Sequence, residues 1–171
     1  MQLRTIVALC IFASAISCGA RAASFSAGLN ISEEVAPEKT GMRAYPGATL
    51  VRKEKGDGDS ADIQFSFGDY GLKVVVAKLR STDAPNRVAE FYRSELARFG
   101  DVLDCGNPKE GETHRTKDRK SKVLTCESDK PRKSGMLYKA GSKDDQHVVE
   151  IKPNGAGSEF SLVHVHVRRP E

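Results

Sequence analysis

The stretch Ser81–Cys105, S-T-D-A-P-N-R-V-A-E-F-Y-R-S-E-L-A-R-F-G-D-V-L-D-C, decides the fold, because here alone a helix marks both its ends and its buried face. Asp83 is placed to cap the N-terminus, Pro85 suits a first turn where a missing N–H costs nothing, and Gly100 stands where a left-handed C-terminal residue is expected. Val88, Phe91, Tyr92, Leu96 and Phe99 recur at helical spacing and form one apolar stripe. Arg87, Glu90, Arg93, Ser94 and Arg98 fill the other side, which reads as a solvated face because Glu90 and Glu95 interrupt the positive charge. The helix is therefore amphipathic and expects a sheet beneath it.

Strands lie on both sides of it. Upstream, Tyr45-Pro46-Gly47-Ala48 has Pro and Gly in the order that the centre of a type II turn requires, and Thr49–Val51 follows as a short strand. Lys53–Ser60 reads as a turn. Ala61, Ile63, Phe65 and Phe67 alternate with polar residues, and Leu72–Leu79 is rich in valine, so these two runs form an antiparallel meander. Downstream, Asp101–Cys105 starts a strand, and Val123–Cys126, Met136–Lys139, Gln146–Lys152 and Glu159–Arg168 read as four more, separated by Pro, Gly and Asn turns. The expectation is an α+β domain, a largely antiparallel sheet of about seven or eight short strands with one main helix packed on one face.

The Tyr-Pro-Gly-Ala turn, the Phe65–Gly68 hairpin and the S-x-D-x-P-x-x-V-x-x-F-Y pattern of Ser81–Tyr92 together resemble a group of uncharacterised exported bacterial proteins. The resemblance covers roughly Tyr45 to Cys126 and implies an architecture. It brings no activity and no catalytic residue.

The first 22 residues stand apart from the domain. Arg4 precedes a short apolar run, Thr5–Ile16, and Ala20-Arg21-Ala22 offers a small-x-small cleavage site, the pattern of a signal peptide too short to span a bilayer. Ala15-Ile16-Ser17-Cys18 offers a competing lipobox, in which Cys18 would be lipidated and anchor the chain to a membrane. Both place the protein outside the cytoplasm, as a periplasmic or secreted protein or as a membrane-anchored lipoprotein. Residues 23–44 are polar and aperiodic and read as a flexible leader, which leaves 45–171 as the single domain. Cleavage after Ala22 removes two of the 27 basic residues and none of the 23 acids, so the mature chain carries only a small positive charge and needs no polyanionic partner. It also leaves Cys105 and Cys126 as the remaining pair, which in an oxidising compartment form one disulfide closing a ring of about 22 residues.

Most candidate chemistry fails on context. Gly56-Asp57-Gly58-Asp59-Ser60-Ala61 fits a dinucleotide fingerprint in letters, but a strand follows it where a helix is needed, and its aspartates repel a pyrophosphate. The same aspartates lack the turn glycine and distal glutamate of a calcium loop. There is no Gly-x-Ser-x-Gly, Ser-x-x-Lys or Cys-x-x-Cys. The basic clusters His114–Lys122 and Lys130–Lys133 lack the interleaved aromatics on which nucleic-acid bases stack and are offset by nearby acids.

One constellation survives. A hairpin symmetric about Gly155 and Ala156 sets His147 opposite His164, with His166 two residues along on the same face, so that three imidazoles converge as ligands for zinc or copper. The alternative leaves these histidines at the edge of a sheet face shared with Phe160 and Leu162, opposite a core stripe of Val163, Val165 and Val167. The leading functional expectation is thus a non-enzymatic binding or interaction module for a protein or envelope component, with no nucleic-acid partner. A metal-binding protein or small metal-dependent enzyme using His147, His164 and His166 is the second.

Overall fold

The computed structural model describes residues 27–32, 35–51, 60–67, 69–108, 122–126, 131 and 135–169. The signal segment 1–22 with Cys18, nearly all of the Lys53–Ser60 turn and most of both basic clusters lie outside these residues. No helix among the described residues is long and apolar enough to cross a membrane.

Eight antiparallel strands form one sheet: β1 (Ala27–Ser32), β2 (Thr49–Leu50), β3 (Ala61–Phe67), β4 (Tyr70–Ser81), β5 (Leu103–Asp104), β6 (Met136–Ser142), β7 (Asp145–Asn154) and β8 (Gly157–Arg168). Their spatial order is β1-β3-β4-β8-β7-β6-β5, and β2 pairs with the second half of β4. The helix α1 (Pro85–Leu96) continues through a 3-10 turn, Ala97–Phe99, and packs on one face of the sheet. The expected α+β architecture is what is found. Val123–Cys126 is the exception among the expected strands: it makes one isolated bridge, Val123 to Ser142, and Cys126 is tied to Cys105 by the disulfide.

Alternation assigns the two faces of the sheet. Ala77, Leu79, Val149, Ile151, Phe160 and Leu162 point to the helix and meet Val88, Tyr92 and Leu96 in the main core. Val163, Val165 and Val167 are therefore not a core stripe. They lie on the opposite face, half-exposed, because both sides of β8 are apolar and the helix covers the side of Phe160 and Leu162. On that opposite face the Cys105–Cys126 disulfide packs with Leu137, Leu103 and Val148 under the β5–β7 end. The β3–β4 end carries Ile63, Phe65, Tyr70 and Leu72 with 38 to 56% of their surfaces exposed.

The helix begins differently from its expected cap. Ala84 occupies the N-cap position with no side-chain hydrogen bond, and Pro85 follows it. The Asp83 carboxylate is engaged elsewhere, accepting the Tyr45 hydroxyl at 2.6 Å. Tyr45 opens the Tyr-Pro-Gly-Ala turn, closed by the Ala48 N–H donating to its carbonyl at 3.0 Å with Gly47 at a φ of 73° that favours glycine. Its backbone N–H also donates to the Tyr92 hydroxyl at 3.1 Å, and its ring lies edge-on to Phe91.

The expectation of a flexible leader over residues 23–44 is corrected for its described part. Ala27–Ser32 forms the edge strand, and Pro37–Thr40 forms a 3-10 turn packed on β4 and β8 with Val35, Thr40 and Met42 buried. The anchor is electrostatic. Glu95 is buried on the helix, its carboxylate accepting Arg43 Nε at 2.9 Å, the Arg43 backbone N–H at 3.2 Å and Arg98 Nη1 at 2.9 Å. The hydrogen bond from the Arg43 side chain holds the Glu95 carboxyl below its ordinary range, against the opposing effect of burial.

Two outcomes follow from these contacts. Cys105→Ala with Cys126→Ala should lower the unfolding free energy in urea by about 3 kcal/mol, the chain-entropy value for such a ring. Because the folded pKa of Glu95 is depressed, its stabilisation is complete above the unfolded value of 4.5 and is lost as pH falls through the folded value. The stability deficit of Glu95→Gln, read from urea curves between pH 7 and pH 3, should therefore be largest near neutrality and shrink below pH 4.5.

Candidate metal centre on the last hairpin

The β7–β8 hairpin turns at Gly155 and Ala156, and its register pairs His147 with His164 and Asp145 with His166. All four side chains share the helix-side face, but they do not share a role. His147 is 4% exposed, and its Nδ1 donates to the Thr40 carbonyl at 3.0 Å, which fixes the proton on that nitrogen. Its ring lies between two others, stacked on Phe99 with centroids 3.6 Å apart and on His164 at 4.4 Å. Burial, together with the neighbouring His164, pushes the His147 pKa down to about 4, so the ring is neutral at physiological pH.

The donor set that does come together is Asp145, His164 and His166, whose ligand atoms all lie within 4.8 Å of one another. His164 Nε2 donates to Asp145 Oδ1 at 2.6 Å, and His166 Nδ1 lies 3.6 Å from the same oxygen. A tetrahedral zinc ion with bonds of 2.0–2.1 Å needs ligand atoms about 3.3 Å apart, so these separations are within a small side-chain adjustment of a coordination shell. The Asp145 and His166 side chains are half-exposed and free to make that adjustment, whereas His164 is 18% exposed and held by the ring stack. Against burial, which acts to raise it, the hydrogen bond from His164 and the electrostatic attraction of the neighbouring imidazoles hold the Asp145 carboxyl below its ordinary range. A carboxylate and two imidazoles form a set suited to zinc or copper, and three protein ligands leave a position open to solvent.

Of the expected ligands His147, His164 and His166, the structure brings His164 and His166 together with Asp145. His147, expected as a ligand, lies outside that set, buried and stacked on His164. Asp145 was missed, although the symmetry that sets His147 opposite His164 also sets Asp145 opposite His166. A larger cleft of about 710 Å³, between α1 and the β5–β6 end, is lined by Glu90, Arg93, Asp104 and Tyr138 without a converging set of donors. Comparison of the chain with family models, with curated proteins and with solved structures finds no match.

Proposed function

We propose that this chain is an exported, non-enzymatic binding module that holds one divalent transition metal ion, zinc or copper, through Asp145, His164 and His166. The observation that carries the reading is the convergence of three donor atoms within 4.8 Å at a solvent-open end of one rigid hairpin. Export is supported by the pattern of residues 1–22, and the Cys105–Cys126 disulfide suits an oxidising compartment. Binding is favoured over turnover because Lys73, Gln64 and Asn30, which line the cleft that includes His166, are a cation and amides, which at neutral pH hold ligands more readily than they shuttle protons.

Isothermal titration of the purified chain with zinc should show one saturable site. His164→Ala and the pair Asp145→Asn with His166→Ala should abolish it, while His147→Gln, checked for folding by circular dichroism, should retain it. Equal, negligible heats for the unaltered chain and His164→Ala would remove the metal.

The opposite face supports a second reading, contact with a protein partner of the envelope. Ile63, Phe65, Tyr70 and Leu72 form an exposed apolar band, and next to it β1 is the outermost strand among the described residues. An outer strand edge offers backbone donors and acceptors that another polypeptide strand satisfies, which favours protein over lipid as the partner. Phe65→Ser with Leu72→Ser should reduce binding of the apolar dye ANS while keeping a cooperative unfolding transition. Unchanged dye binding would show that the band is not an accessible surface.

A further inference from the structure

The metal donors sit at one end of a longer polar row. Asn30, Gln64, Lys73, His166 and Asp145 are successive cross-strand partners across β1, β3, β4, β8 and β7. The rows nearer the helix are covered: α1 lies over Leu162 and Val149, and the 3-10 turn at Pro37–Thr40 lies over β4 and β8 beside His147. The Asn30-to-Asp145 row is the first that neither covers, with its members exposed or half-exposed. Beyond it, Gly28, Ser66, Gly71 and Arg168 make the next row, where small residues lower the floor. The result is a cleft of about 330 Å³ that shares His166 with the metal donors.

Its lining carries the cations Lys73 and Arg168 and no carboxylate; the adjoining buried acid, Asp62, accepts Gln64 Nε2 at 3.3 Å and pairs with Lys39 at 3.6 Å. The Arg168 guanidinium is folded over Gly71, where an added Cβ would stand 3.5 Å from Nε and 3.6 Å from Nη2, and Nε donates to the Asp69 carbonyl at 3.2 Å. Neither Arg168 nor Lys73 forms an ion pair among the described residues. The acid nearest to them along the row is Asp145, whose oxygens a bound metal would occupy. Two cations and two side-chain amides around an open coordination position make a receptor for negative oxygen.

Resting on the metal reading above, we infer that this cleft takes a small oxyanion, a carboxylate or a phosphate monoester, one oxygen of which fills the open position on the metal while others meet Lys73 and Arg168. Asn30 and Gln64 then face the rest of the molecule with hydrogen-bonding groups. The volume matches a ligand of metabolite size.

The test uses the purified chain loaded with cobalt(II), whose visible absorption reports its coordination, titrated separately with succinate and with methyl phosphate. Saturable spectral change with at least one anion is expected, weakened at least tenfold in Lys73→Ala with Arg168→Ala, a pair that should still bind one equivalent of metal. Lys73→Gln with Arg168→Gln serves if the alanine pair fails to fold. The anion that saturates at the lower concentration identifies the acid group. No saturable change with either anion, or equal affinity in the variant, overturns the inference. Failure of cobalt and zinc to bind in the absence of anion is a separate result that removes the metal reading itself.

Discussion

The cross-strand register of β4, β8 and β7 is the constraint on which everything else in this protein depends. It is fixed at one end by the two-residue turn at Gly155 and Ala156, and near that end by Gly157, where a side chain would collide with the Ser81 carbonyl. A slip of one residue would move Phe160 and Leu162 out of the core and carry His164 and His166 to the opposite face. The hydrophobic core and the donor set are thus specified by a single choice. Apolar burial beneath the helix stabilises the alignment that brings the polar groups together.

Features set by local rules were readable in the chain. The helix has a 3.6-residue stripe, the strands have their alternation, and the last hairpin has an obvious turn, so its register followed from simple symmetry. The Cys105–Cys126 pair followed from elimination and compartment. Features decided by distant partners were not readable. Glu95 looks like a surface charge on an amphipathic helix until Arg43, 52 residues away, supplies its hydrogen bonds. Val35 and Met42 are isolated apolar residues in a polar stretch, and only the surface they cover gives them meaning. Phe160 and Leu162 on one side of β8 and Val163, Val165 and Val167 on the other leave alternation unable to say which side faces the helix.

The same distinction applies within the candidate site. His164 and His166 were legible because they share a strand, and Asp145 was within reach of the same symmetry. Lys73, Gln64 and Asn30 were not, because their alignment with His166 requires knowing that β4 pairs with β8 and β1 with β3. A cleft assembled row by row across four strands has no signature in any one segment.

What places the site is where the covering layer stops. The leader residues, pinned through Arg43 and Glu95, extend cover beyond the helix by one row and bury His147 against Thr40 and Phe99. Without that added cover His147 would stand in solvent beside His164, a mobile third imidazole. With it, His147 is held by its Nδ1–H on the Thr40 carbonyl, outside the Asp145, His164 and His166 set, and becomes a surface against which His164 is stacked. Asp145 and His166, one row further out, keep the freedom to close around an ion. For the proposed metal, one donor held by packing and two left adjustable would limit the entropy lost on binding while leaving the site accessible. The buried Glu95 carboxylate, which touches no donor, therefore acts on the site by fixing the layer that divides these roles.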